Sequence, residues 1–381
     1  MYRLLEHLGN PHQNLTVVHV AGTSGKTSTA YYTAALLQGA GKRVGLTISP
    51  HVDEVNERVQ IDLSPMPEAK FAARFAIFLK LVASSGVMPN YFELFLAFAL
   101  WEFAAQQVDY AVVEVGIGGL LDSSNVFDDP RKVCIITDIG YDHMNVLGST
   151  LPEIAAQKTG IIQLHNPVFC YRQEPAVTTA IEHQAATKQA DLHTLTRVPA
   201  MAMLPTLPLF QQRNFGLALT AVRYIAERDQ LRMPEGRHLE TVARTYIPAR
   251  METHTIDGKT VILDAAHNPQ KFEALLASLH AQYGDTPVAA LVRLGPHLDG
   301  RRAAGSAKQL VHGVQHVIVT SLPSDEGVDA AGYESFEVIA DARSAFTALL
   351  KRPEPILVVA GSFYVLNHIR PLVRGRTATT A

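Results

Sequence analysis

A lysine followed by three hydroxyls carries the first chemistry in this sequence. Lys26, Thr27, Ser28 and Thr29 stand directly behind Gly22-Thr23-Ser24-Gly25, and an apolar run, Val17-Val18-His19-Val20-Ala21, stands in front. Strand, glycine-bracketed turn, lysine, helix is an order suited to holding polyphosphate. The glycines let backbone N–H groups face one concavity, a helix N-terminus adds partial positive charge, and the lysine adds a full one. A hydroxyl just after the lysine can take a position on Mg²⁺. The Walker pattern asks for glycine where Val20 stands, so the loop is the shorter G-x-x-G-K-T form. A tight turn capping a helix, with Lys26 solvated, is the bland alternative. The strand and helix on the correct sides favour phosphate.

Other side chains could serve that site. Glu114 ends the apolar run Ala111-Val112-Val113 and is placed to bind Mg²⁺ beside a phosphate loop. An acid at an exposed sheet edge would look the same. His143 follows Asp142 in a turn after a strand, where a metal ligand and a hydrogen-bonded structural histidine are both open. Ser49 precedes Pro50 and is equally a turn residue, while Lys158 lies in a helical stretch where a solvated lysine is the default. Further on, Leu263-Asp264-Ala265-Ala266-His267-Asn268-Pro269 ends a strand and opens a helix. Asp264 and His267 would project toward any cleft between domains. Asn268 fits a helix N-cap with Pro269 in the first turn, and the two readings are compatible.

The elements that must position these groups alternate. Strands are expected over 15–20, 43–48, 109–115, 133–139 and 167–172. Helices are expected over 1–10, 27–38, 68–84, 93–107, 152–160, 175–190 and 214–229. Residues 52–67 read as a short hairpin or loop, and 191–208 as a weaker region. This is an α/β pattern with a parallel sheet covered on both faces, whose ligands collect at the carboxyl ends of the strands. Gly22 to Lys26, Ser49, Glu114 and His143 all fall at such ends. A boundary near 246–250 divides the chain into domains over 1–247 and 248–381. Beyond it, strands are expected over 260–263, 288–293, 317–320 and 356–360, with helices over 269–282, 301–312 and 341–351. Residues 374–381 read as a frayed tail.

Composition narrows the class. The chain has 381 residues, 47% hydrophobic and 18% charged, with a net charge of −3. It can bury a large core and lacks the basic surface of a nucleic-acid binder. Cys134 and Cys170 lie in apolar runs and read as buried free thiols in a reducing compartment. No signal pattern or membrane-length apolar stretch is seen. A cytoplasmic monomer with small-molecule partners, and neither nucleic acid nor membrane, is the expectation.

Together these pieces resemble the Mur ligase superfamily, most closely its folylpolyglutamate synthase / dihydrofolate synthase branch. The resemblance runs from about residue 8 to 367. It rests on the loop Gly22-Thr23-Ser24-Gly25-Lys26-Thr27-Ser28, on Ser49-Pro50-His51 with Asn56-Glu57-Arg58, and on Tyr91-Phe92-Glu93. It continues through Glu114-Val115-Gly116-Ile117-Gly118-Gly119, Leu121-Asp122-Ser123-Ser124-Asn125, Asp142-His143 with Leu147-Gly148, and Glu153-Ile154-Ala155 with Lys158-Thr159-Gly160. Asn214 opening a helix, Arg250-Met251-Glu252, Asp264 to Pro269 and Gly361-Ser362-Phe363-Tyr364 complete the set.

The resemblance implies a P-loop parallel-sheet ATPase domain followed by a smaller Rossmann-like α/β domain. It implies amide-bond formation at the expense of ATP, through an acyl phosphate that an amino acid's amine captures. Gly22, Thr23, Ser24, Gly25, Lys26, Thr27, Ser28, Asn214 and Arg250 would bind nucleotide. Ser49 and Glu114 would hold one Mg²⁺, and Glu114 and His143 a second. Lys158 would be carbamylated near that second metal, and Lys26, Lys158, His143, Asp264 and His267 would carry the chemistry. The smaller domain would close over the nucleotide by hinge motion near Pro248. Folate or dihydropteroate with L-glutamate is the first substrate expectation. A cell-wall or other peptide-like acid is the second, and a non-catalytic ATP-binding regulator is the third. Ser24 and Thr27 follow the peptidoglycan ligases instead of the folate branch. Leu120 replaces an arginine, and Leu294-Gly295-Pro296-His297 stands where that branch has a Lys-Asp pair.

Overall fold

A computed structural model describes residues 1–201, 204–293, 313–320 and 336–377. The expected helix over 301–312 and the Leu294-Gly295-Pro296-His297 stretch lie outside the described residues. The chain divides into two compact units. One comprises Met1–Leu207 with Gln211–Thr245, the other Pro208–Phe210 with Tyr246–Ala381.

The first unit is built on an eight-stranded sheet. In chain order its strands are β1 (Val17–Ala21), β2 (Val44–Thr47), β3 (Gln60–Ile61), β4 (Ser64–Pro65), β5 (Tyr110–Glu114), β6 (Val133–Ile136), β7 (Pro167–Tyr171) and β8 (Asp191–Leu195). Their spatial order is β4-β3-β2-β5-β1-β6-β7-β8. The ladder is parallel from β2 to β8, and the β3–β4 hairpin adds an antiparallel edge. Every residue of β1 and β5 is buried, which is why both read as unbroken apolar runs. The helices are α1 (Tyr2–His7), α2 (Lys26–Gly39), α3 (Glu68–Ser84), α4 (Tyr91–Ala105), α5 (Met144–Leu147), α6 (Leu151–Thr159), α7 (Pro175–Thr187), α8 (Leu209–Asp229) and α9 (Gly236–Ala243).

Helix α4 starts two residues earlier than its apolar pattern implies, because Asn90 and Glu93 form a capping box. The Glu93 N–H donates to Asn90 Oδ1 at 2.9 Å, and the Asn90 N–H to Glu93 Oε2 at 3.0 Å. Helix α8 also starts early, so Asn214 lies inside it and does not open it. The polar run Gln211 to Asn214 hid that first turn, yet Gln211 and Asn214 are buried. The region expected to be weak holds β8, an edge strand whose Asp191, His193 and Thr194 broke the apolar signal. Both cysteines are buried free thiols, and burial pushes each up to about 11. No described helix is long and apolar enough to cross a membrane.

The second unit carries β9 (Glu252–Ile256), β10 (Lys259–Leu263), β11 (Val288–Arg293), β12 (His316–Thr320), β13 (Glu337–Val338) and β14 (Ile356–Ala360), in the order β13-β12-β11-β14-β10-β9. All pairings are parallel except that of β9 with β10. Strand β9 is antiparallel and half exposed, and the sequence pattern missed it. Around the sheet lie α10 (Pro269–Tyr283), α11 (Ala342–Leu350) and α12 (Phe363–Thr377). Arg374 to Thr377 belong to α12, which corrects the expected frayed tail for those residues. Pro371 inside that helix disguised it.

Arg370 on α12 is fully buried, and its guanidinium meets the buried Glu252 carboxylate at 3.0 Å. Glu252 also accepts from the Ala249 N–H at 3.0 Å and lies 2.9 Å from His254 Nε2. Burial alone would raise the Glu252 carboxyl, but these partners hold it down, at about 2. A depressed carboxylate contributes stability above its unfolded value and loses it as pH falls through the folded one. The wild-type unit should therefore lose thermal stability as pH falls from about 4.5 to about 2. Glu252→Gln should lower the neutral-pH stability by about 3 kcal/mol, because it removes the negative charge that neutralises the buried Arg370 guanidinium. It should also remove that acid limb, and calorimetry across the range checks both. An acid limb unchanged in the variant would refute the assignment.

Candidate nucleotide and metal site

The glycine loop is carried by its neighbour strand. After β6, Thr137 donates its N–H to Ala21 O at 2.8 Å, and the Asp138 carbonyl accepts the N–H groups of Thr23 and Ser24 at 2.9 and 3.0 Å. Thr23 Oγ1 donates to Gly140 O at 3.0 Å. Thr23 is thus tied to the 137–140 segment by both its amide and its hydroxyl, and Ser24 by its amide. The remaining cradle is the start of α2. Helix geometry gives the N–H groups of Gly25, Lys26, Thr27 and Ser28 no carbonyl of an earlier turn to bond. Gly25, the N-cap, has φ 93°, a backbone that disfavours any side chain. A Cβ there would also collide with Asn214 Oδ1, so Asn214 of α8 lies directly against the loop. The Ser28 hydroxyl is buried and has no hydrogen-bond partner.

Two lysines converge on one oxygen. Lys26 Nζ donates to Gly22 O at 3.2 Å, and Lys158 Nζ donates to the same oxygen at 2.9 Å, so the two nitrogens lie within about 6 Å of each other. Lys158 is 3% exposed, which corrects the solvated reading of this helical lysine. Two cations at that separation repel by on the order of 3 kcal/mol at an effective dielectric of 20. A polyanion bound there would turn that repulsion into attraction.

A second set of contacts gathers on Glu114. Glu114 ends β5, in register with Val20, and is 3% exposed, so it is no edge acid. Thr27 Oγ1 donates to Glu114 Oε1 at 2.8 Å, and the Ser49 N–H donates to Glu114 Oε2 at 3.1 Å. A carboxylate and hydroxyls are the hard donors that Mg²⁺ takes alongside water, so these residues fit that ion. His143 differs from this set in character. It has φ 48°, is 48% exposed on its side chain, and its Nε2 lies 3.9 Å from Asp142. Among the described residues, no group of three His, Cys, Asp or Glu is arranged to hold a metal. The set expected for the second metal, Glu114 and His143, holds two such residues and is too small to count as a group of that kind.

Several residues of the motifs that carry the resemblance hold this geometry in place, although no catalytic or binding role was expected of them. Glu57 accepts the N–H groups of Val52, Asp53 and Glu54, at 2.7, 2.9 and 3.0 Å, and so shapes the turn after Ser49. Arg58 Nε donates to His51 Nδ1 at 2.9 Å, and its guanidinium lies 5.1 Å from the Tyr91 ring centre. Burial, then Arg58, pulls the His51 imidazole below its ordinary range, consistent with a neutral ring accepting on Nδ1. The turn after Glu114 is pinned through Asp122, whose carboxylate accepts from the Ile117 N–H and the Ser124 hydroxyl. Ser124 in turn meets buried His19 of β1 at 2.9 Å.

In the second unit, the sequence-marked residues meet at the carboxyl ends of β10, β11 and β14. Asp264 is buried and accepts the N–H groups of Met251 and Ala266, each at 2.8 Å. Burial raises its carboxyl, with Arg250 opposing. Arg250 stacks over Phe363 at 5.1 Å, and Arg293 Nη1 donates to Ser362 Oγ at 3.0 Å. His267 Nδ1 lies 2.9 Å from Ala265 O, and its Nε2 lies 3.0 Å from Lys271 Nζ. Those partners assign a neutral ring protonated on Nδ1 and accepting from Lys271. Asn268 is the N-cap of α10, accepting from the Lys271 N–H at 3.0 Å. Lys271 and Arg293 carried no local signal. Only their strand-end and first-turn positions could have marked them.

Known families match both units. The Mur ligase middle domain matches residues 20–197, and the Mur ligase glutamate ligase domain matches 249–363. The chain belongs to the Mur ligase family. The middle-domain match contains the loop, Ser49, Glu114, His143 and Lys158, and the glutamate ligase match contains Arg250, Asp264 and His267. Asn214 falls between them. This Mur ligase is 29% identical to folylpolyglutamate synthase of Lacticaseibacillus casei, over 98% of this chain and 93% of that one. It is likewise 29% identical to the dihydrofolate synthase/folylpolyglutamate synthase of Escherichia coli, over 94% and 87%. A solved FPGS–AMPPCP–folate complex aligns with a TM-score of 0.81 at 27% identity, covering 97% of this chain and 93% of that chain.

Proposed function

We propose that this Mur ligase joins L-glutamate to a folate or dihydropteroate, consuming ATP. The observation that carries the reading is the convergence of Lys26 and Lys158 on Gly22 O, with Thr27 and Ser49 gathered on Glu114. Such an arrangement suits a triphosphate with a hard cation. The relatives and the folate complex supply the substrate class.

The reaction brings two anions together. A substrate carboxylate oxygen attacks the γ-phosphorus, the bond to the ADP oxygen breaks, and an acyl phosphate forms. The glutamate amine then attacks the acyl carbon, loses a proton and expels phosphate. Lys26 and the α2 N-terminus hold the phosphates and offset their charge. Mg²⁺, when held by Thr27, Ser49 and Glu114, supplies further charge neutralisation on the phosphate oxygens. His143 is assigned to a second Mg²⁺. Lys158 is assigned as a carbamate, its amine having bonded CO₂ with loss of protons. That would replace a cation beside Lys26 with an anion. Asn214 and Arg250 are assigned to the nucleotide, and Asp264 and His267 to the nucleotide and amine. The two buried free thiols are in keeping with a reducing compartment such as the cytoplasm.

The test is a substrate panel. ADP and phosphate release should require both a pterin-type acid and L-glutamate. Ser24 and Thr27 favour a second reading, a peptidoglycan-type acid substrate. Turnover with UDP-linked acids and none with folate or dihydropteroate would select it. ATP binding with no product from any acid would leave a regulator.

A further inference from the structure

Asp138 stands where three parts of the first unit meet. Its carbonyl accepts the Thr23 and Ser24 N–H groups, as described above. Its carboxylate is gripped by Arg213 of α8. Arg213 Nε donates to Oδ2 at 2.8 Å and to Oδ1 at 3.1 Å, and Nη2 donates to Oδ1 at 2.7 Å. The same guanidinium lies 3.9 Å from the ring centre of Tyr171, at the end of β7. The next residue on α8 is Asn214, which lies against Gly25. The flanking residues are tied down as well. Gln173 joins Thr137 O and the Ile139 N–H, at 3.2 and 2.7 Å.

We propose that the Arg213–Asp138 pair is a positioning device for the phosphate loop, setting the carbonyl from which the loop hangs. The inference rests on reading that loop as the ATP site. The two side chains are 33% and 30% exposed, so solvent screens part of the pair's attraction. A planar fork stacked on an aromatic ring, however, defines direction as well as distance. Losing it removes the side-chain anchor of Asp138 and leaves its carbonyl, with the two loop amides bonded to it, held by the flanking contacts alone. A misplaced loop weakens phosphate binding in the ground and transition states alike, so KM for ATP rises while kcat holds.

The experiment measures AMPPCP affinity by calorimetry, together with KM and kcat for ATP. Arg213→Gln should weaken AMPPCP binding about tenfold and raise the ATP KM by a similar factor, with kcat changed less than about twofold. Arg213→Lys keeps the charge but not the fork and should fall between. Asp138→Asn should act in the same direction, and the double variant should be no worse than Arg213→Gln alone. Variants with a lowered melting temperature but unchanged AMPPCP affinity and ATP KM would overturn the proposal, leaving a purely structural pair. Wild-type protein that binds no AMPPCP would overturn it together with the ATP reading, an outcome distinguishable from the first.

Discussion

Lys26→Ala is expected to lower kcat/KM for ATP by roughly 10²–10³-fold, the loss typical when one preorganised charge-stabilising donor is removed from a reacting centre. The side chain is only partly buried and reaches back to Gly22 O. Its removal leaves no buried group stranded, so the melting temperature should hold. Lys26→Arg should not restore the rate. A longer, planar fork cannot take the place of a point charge folded over its own loop. Steady-state kinetics with ATP varied at saturating acid and amine checks this. Activity within tenfold of wild type would place the phosphates elsewhere.

The second large effect is expected at Lys158. Lys158→Ala should lose most of the activity, roughly 10²-fold or more if its group acts on the transferring charge. It should keep AMPPCP binding, because Lys26 and the α2 N-terminus remain. If the working form is a carbamate, short carboxylates such as formate should restore part of the rate by occupying the space left by the side chain. Depleting CO₂ should slow the wild type and leave the variant unchanged. Lys158→Met, which fills the same buried volume, controls for a cavity at this site. Variants as active as wild type would remove Lys158 from the reaction. Loss of AMPPCP binding would instead make its ammonium a phosphate ligand, in keeping with its 2.9 Å bond to Gly22 O.

Much of this molecule is written along the chain. The apolar run into Gly22, the lysine behind Gly25, the acid closing β5 and the Asn268-Pro269 helix start are local patterns, each set by the chemistry of a few consecutive residues. Those patterns placed the strands that are buried on both faces. They missed β8, β9 and α12, where polar edge positions or Pro371 break the period.

Other features exist only in three dimensions. Lys158 looks like any helical lysine until parallel pairing brings α6 to a carbonyl 136 residues away. Asp138 and Arg213 are 75 residues apart and show no shared motif, yet one fork joins them under the loop. Residue types and short spacings determine what a segment can do. Strand order and register decide which distant groups share an oxygen, because hydrogen bonds act over about 3 Å and are blind to separation along the chain.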